Sequence, residues 1–388
     1  MKVLFTGADG YIGAVLGPKL LARGYEAIGL DTGFYRRGWL YDDHRTRPMV
    51  ITKDTREISV DDLRGFSAVV HLAELSNDPL GEQDPDLTYA VNHRASVALA
   101  QMCKEAGVSR FIYASSCSIY GAAGSAMKTE ESPANPQTAY AHCKVMVEQD
   151  VRRLTSDSFT PVFMRNATAF GASPRLRFDL VLNNLAGCAF TTGEIKLTSD
   201  GSPWRPLVHV DDLCQAIICA LEAPADAVAG EAFNVGDDEQ NYRVREIAEV
   251  VGATFPGCRL SFGAESSDNR SYRVSFAKIR SRMPEFRCQW TLERGAAQLR
   301  DVFERIQLTA DMFRASPFTR LAELKYLKGT QQVDDSLFWT SLSDQTEVVA
   351  RLKSGQEASL GETTVTSSGQ TMPKAGSLYL TPPSAVGV

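Results

Sequence analysis

MKVLFTGADGYIG, residues Met1 to Gly13, decides the fold of this chain. Val3, Leu4 and Phe5 make the short unbroken apolar run of a strand buried on both faces, and the run ends at a turn punctuated by glycine. In the spacing Gly-x-x-Gly-x-x-Gly, Gly7 permits the tight turn, Gly10 leaves bare backbone beside a diphosphate, and Gly13 lets the following helix pack close to the sheet. The turn is therefore an anion site at a helix start.

The next segments repeat the strand-helix alternation. A helix to Arg23 is closed by Gly24, and Ala27 to Leu30 reads as a second strand ending in Asp31, eighteen residues after Gly13. A carboxylate there is placed to accept hydrogen bonds from an adenosine ribose. It would repel a 2′-phosphate, which favours NAD, while Arg36 and Arg37 keep NADP open. The aromatic and charged stretch Phe34 to Arg47 reads as a loop, either an adenine-side lid or an oligomer contact. Val50 and Ile51 read as a third strand, followed by Asp54, either an adenine contact or a solvated loop acid.

Ala68 to Leu72 is a further buried strand with Ala73 at its carboxyl edge, where cofactor and substrate meet in open α/β folds. In the loop Glu74 to Glu82, Ser76 and Asn77 are suited to sugar hydroxyls or equally to turn capping. A long amphipathic helix is expected over Asp86 to Ala106, then strands at Arg110 to Ser115 and Thr160 to Met164. Between those strands, a helix from about Ala139 carries Tyr140 and Lys144. The interval of four puts both side chains on one face, with Cβ atoms roughly 5–6 Å apart. An amine beside a phenol lowers the phenol pKa from about 10, as a phenolic general base requires.

The chain has 388 residues, enough for two domains, and a formal net charge of -6 with scattered basic residues, which gives no support for a nucleic-acid surface. No apolar run approaches the roughly 20 residues of a membrane span, and the chain opens on a strand without a leader pattern. A soluble cytoplasmic protein is the expectation. The eight cysteines show no CxxC pair and the five histidines are dispersed, so neither a disulfide scaffold nor a metal site is expected.

The fold class expected is α/β, a Rossmann-like doubly wound parallel sheet with a smaller mixed α/β substrate domain. Residues 1–170 would be predominantly the NAD-binding part and 171–315 predominantly substrate-binding, with elements returning to the core. The range 316–388 would be a peripheral extension; Leu321 to Leu327 reads as helix or strand, and the Ser/Thr/Gly-rich stretch beyond Ser341 as short strands or disordered tail. In the second part, polar and basic residues cluster at Arg175 and Arg177, at GSPWRP with Arg205, and at RSYRVSF from Arg270 to Phe276.

TGADGYIG, Asp31, HLA at His71 to Ala73, SSCSIYG, YAHCK at Tyr140 to Lys144, PLVHVDD at Pro206 to Asp212, FNVG at Phe233 to Gly236 and WTLERG at Trp290 to Gly295 resemble the extended short-chain dehydrogenase/reductase family. Within it the chain resembles the nucleotide-sugar epimerase and dehydratase branch. The resemblance implies a catalytic triad of Ser116, Tyr140 and Lys144. Ser116 would orient the reacting oxygen, Tyr140 exchange its proton, and Lys144 bind the nicotinamide ribose and hold Tyr140 acidic. It implies an NAD pocket built or supported by Thr6, Gly7, Gly10, Tyr11, Ile12, Gly13, Asp31, Asp54, Thr55, Leu72, Ala73, Asn92, Tyr140 and Lys144. Arg205, Arg270, Arg175 and Arg177 are then candidates for the substrate diphosphate, and Ser76, Asn77, Ser116, Cys117, Ser118 and Thr168 for the sugar.

Two departures from the family pattern bear on the reaction. Dehydratases of this family carry an acid two residues after the active serine, where this chain has Ser118; Glu130 or Glu131 would substitute only if their loop folded back. The family often has an Asn three residues after Arg165, where Thr168 stands. Family 3,5-epimerases place a reactive cysteine at the Ser118 position, so Cys117 is read as a small pocket wall. The expected reaction is redox-neutral epimerisation, at C4, through a transient 4-keto sugar. A 4-ketosugar reductase using NAD(P)H, a 4,6-dehydratase, a 3,5-epimerase and a non-catalytic NAD sensor are the alternatives. The two long helices are expected to build a homodimer.

Overall fold

Apolar runs form seven strands: β1 (Lys2–Thr6), β2 (Glu26–Asp31), β3 (Val50–Thr52), β4 (Ala68–His71), β5 (Arg110–Ser116), β6 (Thr160–Asn166) and β7 (Ala232–Val235). The computed structural model describes residues 1–76, 84–264 and 270–341. All seven strands run parallel in the order β3, β2, β1, β4, β5, β6, β7. The expected doubly wound sheet is present. Alternate side chains enter two different cores, because both faces of the sheet are covered. Val3, Phe5, Val70, Ile112 and Met164 join the core on one side, and Leu4, Val69, Phe111, Tyr113 and Phe163 the core on the other.

The strand order reverses between β1 and β4, so their carboxyl ends part into a crevice. Over this edge sits the smaller mixed region. In it, Trp204–His209 pairs with Thr168–Phe170 and Asn241–Arg243, and Ala122–Lys128 pairs with Ser271–Val274. The range 171–315 also sends β7 back into the main sheet, and its apolar side chains share the first core with Val3 and Phe5.

The helix expected over Asp86 to Ala106 has three parts: an α turn Pro85–Thr88, a π-helical turn Tyr89–Arg94 and the α-helix Ala95–Glu105. Asn92 lies in the π turn and is fully buried. Its amide donates to Leu75 O at 3.1 Å and accepts from Leu75 N–H at 2.8 Å, pinning the loop after β4.

Beyond residue 315 the chain forms a 3-10 turn Ser316–Phe318, a helix Arg320–Gly329 and a bridge between Val333 and Trp339. These residues are not peripheral, which corrects the expectation for 316–341. Leu324, Leu327, Val333 and Leu337 build a third small core with Phe34 and Leu75, because burying their apolar faces requires the loops beside the glycine turn. The rest of the expected extension, 342–388, lies outside the described residues. Among the described residues no helix is long and apolar enough to cross a membrane, and all eight cysteines are free.

One buried network locks the ends of β1 and β4. Thr6 Oγ1 accepts from the Leu72 and Ala73 amides, both at 3.1 Å, and lies 2.7 Å from His71 Nδ1. Ser96 Oγ donates to Asn92 O at 2.7 Å and lies 2.8 Å from His71 Nε2. With the Ser96 proton so committed, His71 must donate from Nε2 and accept the Thr6 proton at Nδ1. Burial, aided by Lys144, pushes the imidazole pKa down to about 3. The unfolded chain protonates near 6.5. Below that value the unfolded state binds a proton that the folded state refuses, so acidification from about pH 6.5 towards 3 removes stability. A His71→Asn variant is expected to show a shallower fall of its melting temperature than wild type when scanned by circular dichroism from pH 7 to 4.

Candidate active site

The glycine turn makes a cradle without side chains. Gly7 holds φ +71°, and a Cβ there would meet Ala73 N and Leu72 C at 3.0 Å. A Cβ on Gly13 would fall 2.2 Å from Gly7 O and 2.7 Å from Ala8 O. The turn opens into a cleft of about 470 Å³, within the rough 300–1,000 Å³ range of small-molecule sites. Gly7, Gly10, Tyr11, Ile12 and Gly13 line it, with Leu72 and Ala73 from the β4 end. Thr6 acts from behind this wall, and Tyr11 donates its hydroxyl to Gly171 O at 2.7 Å, tying the turn to the smaller region.

At the β2 end, Asp31 accepts from the Asp9 and Gly33 amides at 3.0 and 2.7 Å. Burial, reinforced by Asp9, pushes its pKa up to about 6. The two arginines that kept NADP open are engaged elsewhere. Arg36 pairs with Asp9 at 2.6 Å and Arg37 with Glu323 at 2.8 Å. Asp54 and Thr55 line the cleft, and Asp54 is paired with Arg56 at 2.7 Å. The lid reading of the loop after Asp31 gains support from Phe34 and Tyr35, which line the same cleft.

A glycine cradle that a Cβ would fill and a carboxylate at Asp31, lining one cleft, fit a dinucleotide.

Across the crevice, the Thr138 side chain caps the helix Ala139–Arg152 by accepting from Ala141 N–H at 3.2 Å, which aims the first turn at the cleft. Ser116, Tyr140 and Lys144 line one cavity. Ser116 Oγ accepts from Ser118 N–H at 3.1 Å, leaving its own proton for a ligand oxygen. The Lys144 ammonium sits 5.2 Å from the centre of the Tyr140 ring.

Lys144 also has partners the sequence did not announce. It donates to Ala114 O and forms a buried ion pair with Glu74, and Glu74 accepts from the Tyr113 hydroxyl at 2.6 Å. Burial alone would lower the Lys144 pKa, but Glu74 and then Tyr140 raise it, so the ammonium stays charged. Burial raises the Glu74 pKa against the opposing pull of Lys144. Only a lone acid in a loop marked Glu74 in the sequence; a loop acid directly after HLA is the signal that was available.

The other expected site residues divide. Ser76, Ser118, Thr168, Arg177, Arg205 and Arg270 line the cavity. Arg177 is committed to Asp179 at 2.9 Å and to Ser76. Cys117 does not line it: the thiol is 1% exposed, donates to Arg165 O at 3.1 Å and is held protonated by burial. Arg175 is corrected as well. Its Nε donates to Asp9 O at 2.8 Å, which places it beneath the glycine turn instead of at the substrate diphosphate. Asn77 lies outside the described residues. Glu130 accepts from Asn234 N–H at 2.8 Å, and neither it nor Glu131 lines the cavity.

The model of the NAD dependent epimerase/dehydratase family matches residues 3–236. The chain belongs to this family. This epimerase/dehydratase family member is 28% identical to UDP-glucose 4-epimerase of Bacillus subtilis over 287 residues, 64% of this chain and 81% of that protein. It is 30% identical to UDP-glucose 4-epimerase of Mycolicibacterium smegmatis over 272 residues, 65% of this chain and 83% of that protein. Two solved structures share the fold. TunA, an NAD dependent NDP-hexosamine 5,6-dehydratase involved in tunicamycin biosynthesis, superposes with a TM-score of 0.69 and 23% identity over 78% of this chain and 98% of its own. UDP-glucuronic acid 4-epimerase from Bacillus cereus, in complex with UDP-glucuronic acid and NAD, does so with 0.68 and 21% over 79% and 100%.

The family's glycine cradle makes a paired prediction. Gly13→Ala forces a Cβ into backbone that cannot retreat, so a drop in melting temperature of many degrees or failure to accumulate as folded protein is expected. Gly252→Ala, in the helix Val244–Thr254 with nothing within 4 Å of the new Cβ, is expected to stabilise by about 0.5–1 kcal/mol in urea titration.

Proposed function

We propose that this chain is an NAD-dependent nucleotide-sugar epimerase that inverts C4 of the sugar. The observation that carries the reading is the single cleft in which Ser116, Tyr140 and Lys144 face a dinucleotide cradle while Ser118, and no acid, stands where dehydration needs one. Gly7, Gly10, Gly13 and Asp31 would hold the cofactor, with Lys144 at the catalytic end. The engagement of Arg36 and Arg37 by carboxylates supports NAD over NADP. When bound, NAD supplies a reversible hydride acceptor, so no net oxidation results.

The chain's own residues handle the protons. Tyr140 takes the proton of the C4 hydroxyl as the sugar becomes a ketone, and gives it back when the ketone is reduced from its other face. Ser116 donates to the same oxygen and holds it against Tyr140. Lys144, kept charged by Glu74, supplies the positive field beside the phenol. Arg205 and Arg270 are the candidates for the nucleotide diphosphate, leaving the sugar free to turn in the cavity. The reading extends to a homodimer through the helices Pro85–Glu105 and Ala139–Arg152 and to a cytoplasmic location, for which eight free cysteines argue.

Purified protein incubated with UDP-, GDP-, CDP- and dTDP-sugars is expected to yield a C4 epimer from one donor class, resolved by chromatography and NMR. Tyr140→Phe is expected to reduce kcat by about 10²–10⁴-fold with NAD content unchanged. Net accumulation of NADH, or a product lacking one water, with no epimer from any donor, would overturn the reading.

Glu74 offers a separate test of the proton machinery. Glu74→Gln removes the carboxylate that holds Lys144 protonated, which weakens the positive field beside the phenol. The acidic limb of the kcat profile is expected to move to higher pH, and an unmoved limb would leave Glu74 a packing role only.

A further inference from the structure

The dinucleotide cradle contains more buried positive charge than the protein itself neutralises. Arg320, from the first turn of the helix Arg320–Gly329, lines the same cleft as the glycine turn and is 7% exposed. Its Nη2 lies 3.8 Å from the position a Gly10 Cβ would take. The guanidinium stacks on the Tyr35 ring with its centre 3.8 Å from the ring centroid, and it makes no hydrogen bond or ion pair among the described residues. Arg175 approaches from below the turn at 2% exposure, with Nη1 and Nη2 both lacking an acceptor. Burial lowers the pKa of both guanidinium groups, that of Arg175 to about 9, and Arg320 adds to the effect on Arg175. Of the nearby acids, Asp9 is paired with Arg36, Asp179 with Arg177 and Glu323 with Arg37, which leaves Asp31, bonded to two backbone amides, as the one carboxylate near both guanidinium groups that has no ion pair among the described residues.

Two buried cations that share one carboxylate are costly to keep out of water unless a further anion joins them. The space between Arg320 and Gly10 belongs to the cleft, at bare backbone that admits a phosphate. The same C-terminal segment closes the other end of this site. Arg56 donates to Ser336 O at 2.6 Å and stacks on Phe338 at 3.7 Å, Leu337 lines the cleft, and Trp339 Nε1 donates to Thr32 O at 2.7 Å.

We propose that residues 316–340 are a clamp on the dinucleotide, in which Arg320, backed by Arg175, neutralises its diphosphate while Leu337 and its neighbours wall the adenosine. The proposal rests on the NAD-dependent reading above and adds a binding element to it from a part of the chain that the family match over 3–236 does not include. Its consequence is a resident cofactor that is not exchanged at each turnover, as a redox-neutral reaction permits.

The test measures binding, not turnover. Full-length wild type, Arg320→Met and Arg320→Lys are stripped of nucleotide and titrated calorimetrically with NAD, ADP and adenosine, and NAD carried through purification is quantified after acid release. Arg320→Met is expected to weaken NAD and ADP by on the order of ten- to a hundred-fold, leave adenosine within about twofold, and retain less NAD. Arg320→Lys is expected to recover part of the loss, and NAD is expected to raise the melting temperature of Arg320→Met less than that of wild type. Unchanged ADP affinity in Arg320→Met, or an equal loss for adenosine, would overturn the clamp while leaving the NAD reading intact. A wild type that binds neither NAD nor ADP would overturn both.

Discussion

The approach of the glycine turn to the end of β4 is the constraint on which the rest of the molecule depends. Gly7 lies so close to Leu72 and Ala73 that no side chain fits between them, and Thr6 Oγ1 takes both of the amides that follow β4. Because these two strands flank the point where the sheet order reverses, that contact sets the floor of the crevice. His71, neutral and doubly hydrogen-bonded, carries the register on to Ser96 and Asn92, and Asn92 fixes Leu75. A π-helical turn is what lets Asn92 reach the loop. Position in the crevice is thus passed from backbone to backbone by short polar side chains that touch no ligand themselves.

Charge is distributed with similar economy around that floor. On the catalytic side three buried cations have carboxylate partners: Lys144 has Glu74, Arg177 has Asp179, and Arg165 has Glu148. Under the glycine turn the balance tips, and Arg175 and Arg320 share Asp31 with no ion pair of their own among the described residues. A site that keeps its catalytic charges paired limits the cost of holding them out of water, whereas one that leaves cations unmatched favours a ligand that brings negative charge. The two halves of the cleft therefore differ in what they ask of a ligand.

How much of this could be read from the residues follows the range of the interaction. The glycine turn, Asp31 and the Tyr140–Lys144 interval are encoded within a few positions, where steric and helical rules act directly, and the structure puts them in one cleft. The strands were legible because burial on both faces leaves an unbroken apolar run. The π turn inside the expected helix was not, since an inserted residue leaves the apolar pattern nearly unchanged. Cys117 and Arg175 were placed wrongly because the backbone carbonyls that claim them, Arg165 O and Asp9 O, carry no sequence signature. The pairing of Asp54 with Arg56, two residues on, is local yet depends on the 3-10 turn between them, which spacing alone does not announce. Arg320 meets the site only through tertiary contacts, so no local spacing points to it, and Glu74 is marked only by its place directly after HLA.

The hydrogen bond between Trp339 and Thr32 joins residues 307 positions apart. During synthesis all seven strands of the parallel sheet, the last ending at Val235, are made about a hundred residues before Trp339, so the cleft lacks this wall until the segment around Trp339 emerges. Assembly of the groove is consequently a late event on the ribosome, ordered by chain position instead of by local stability.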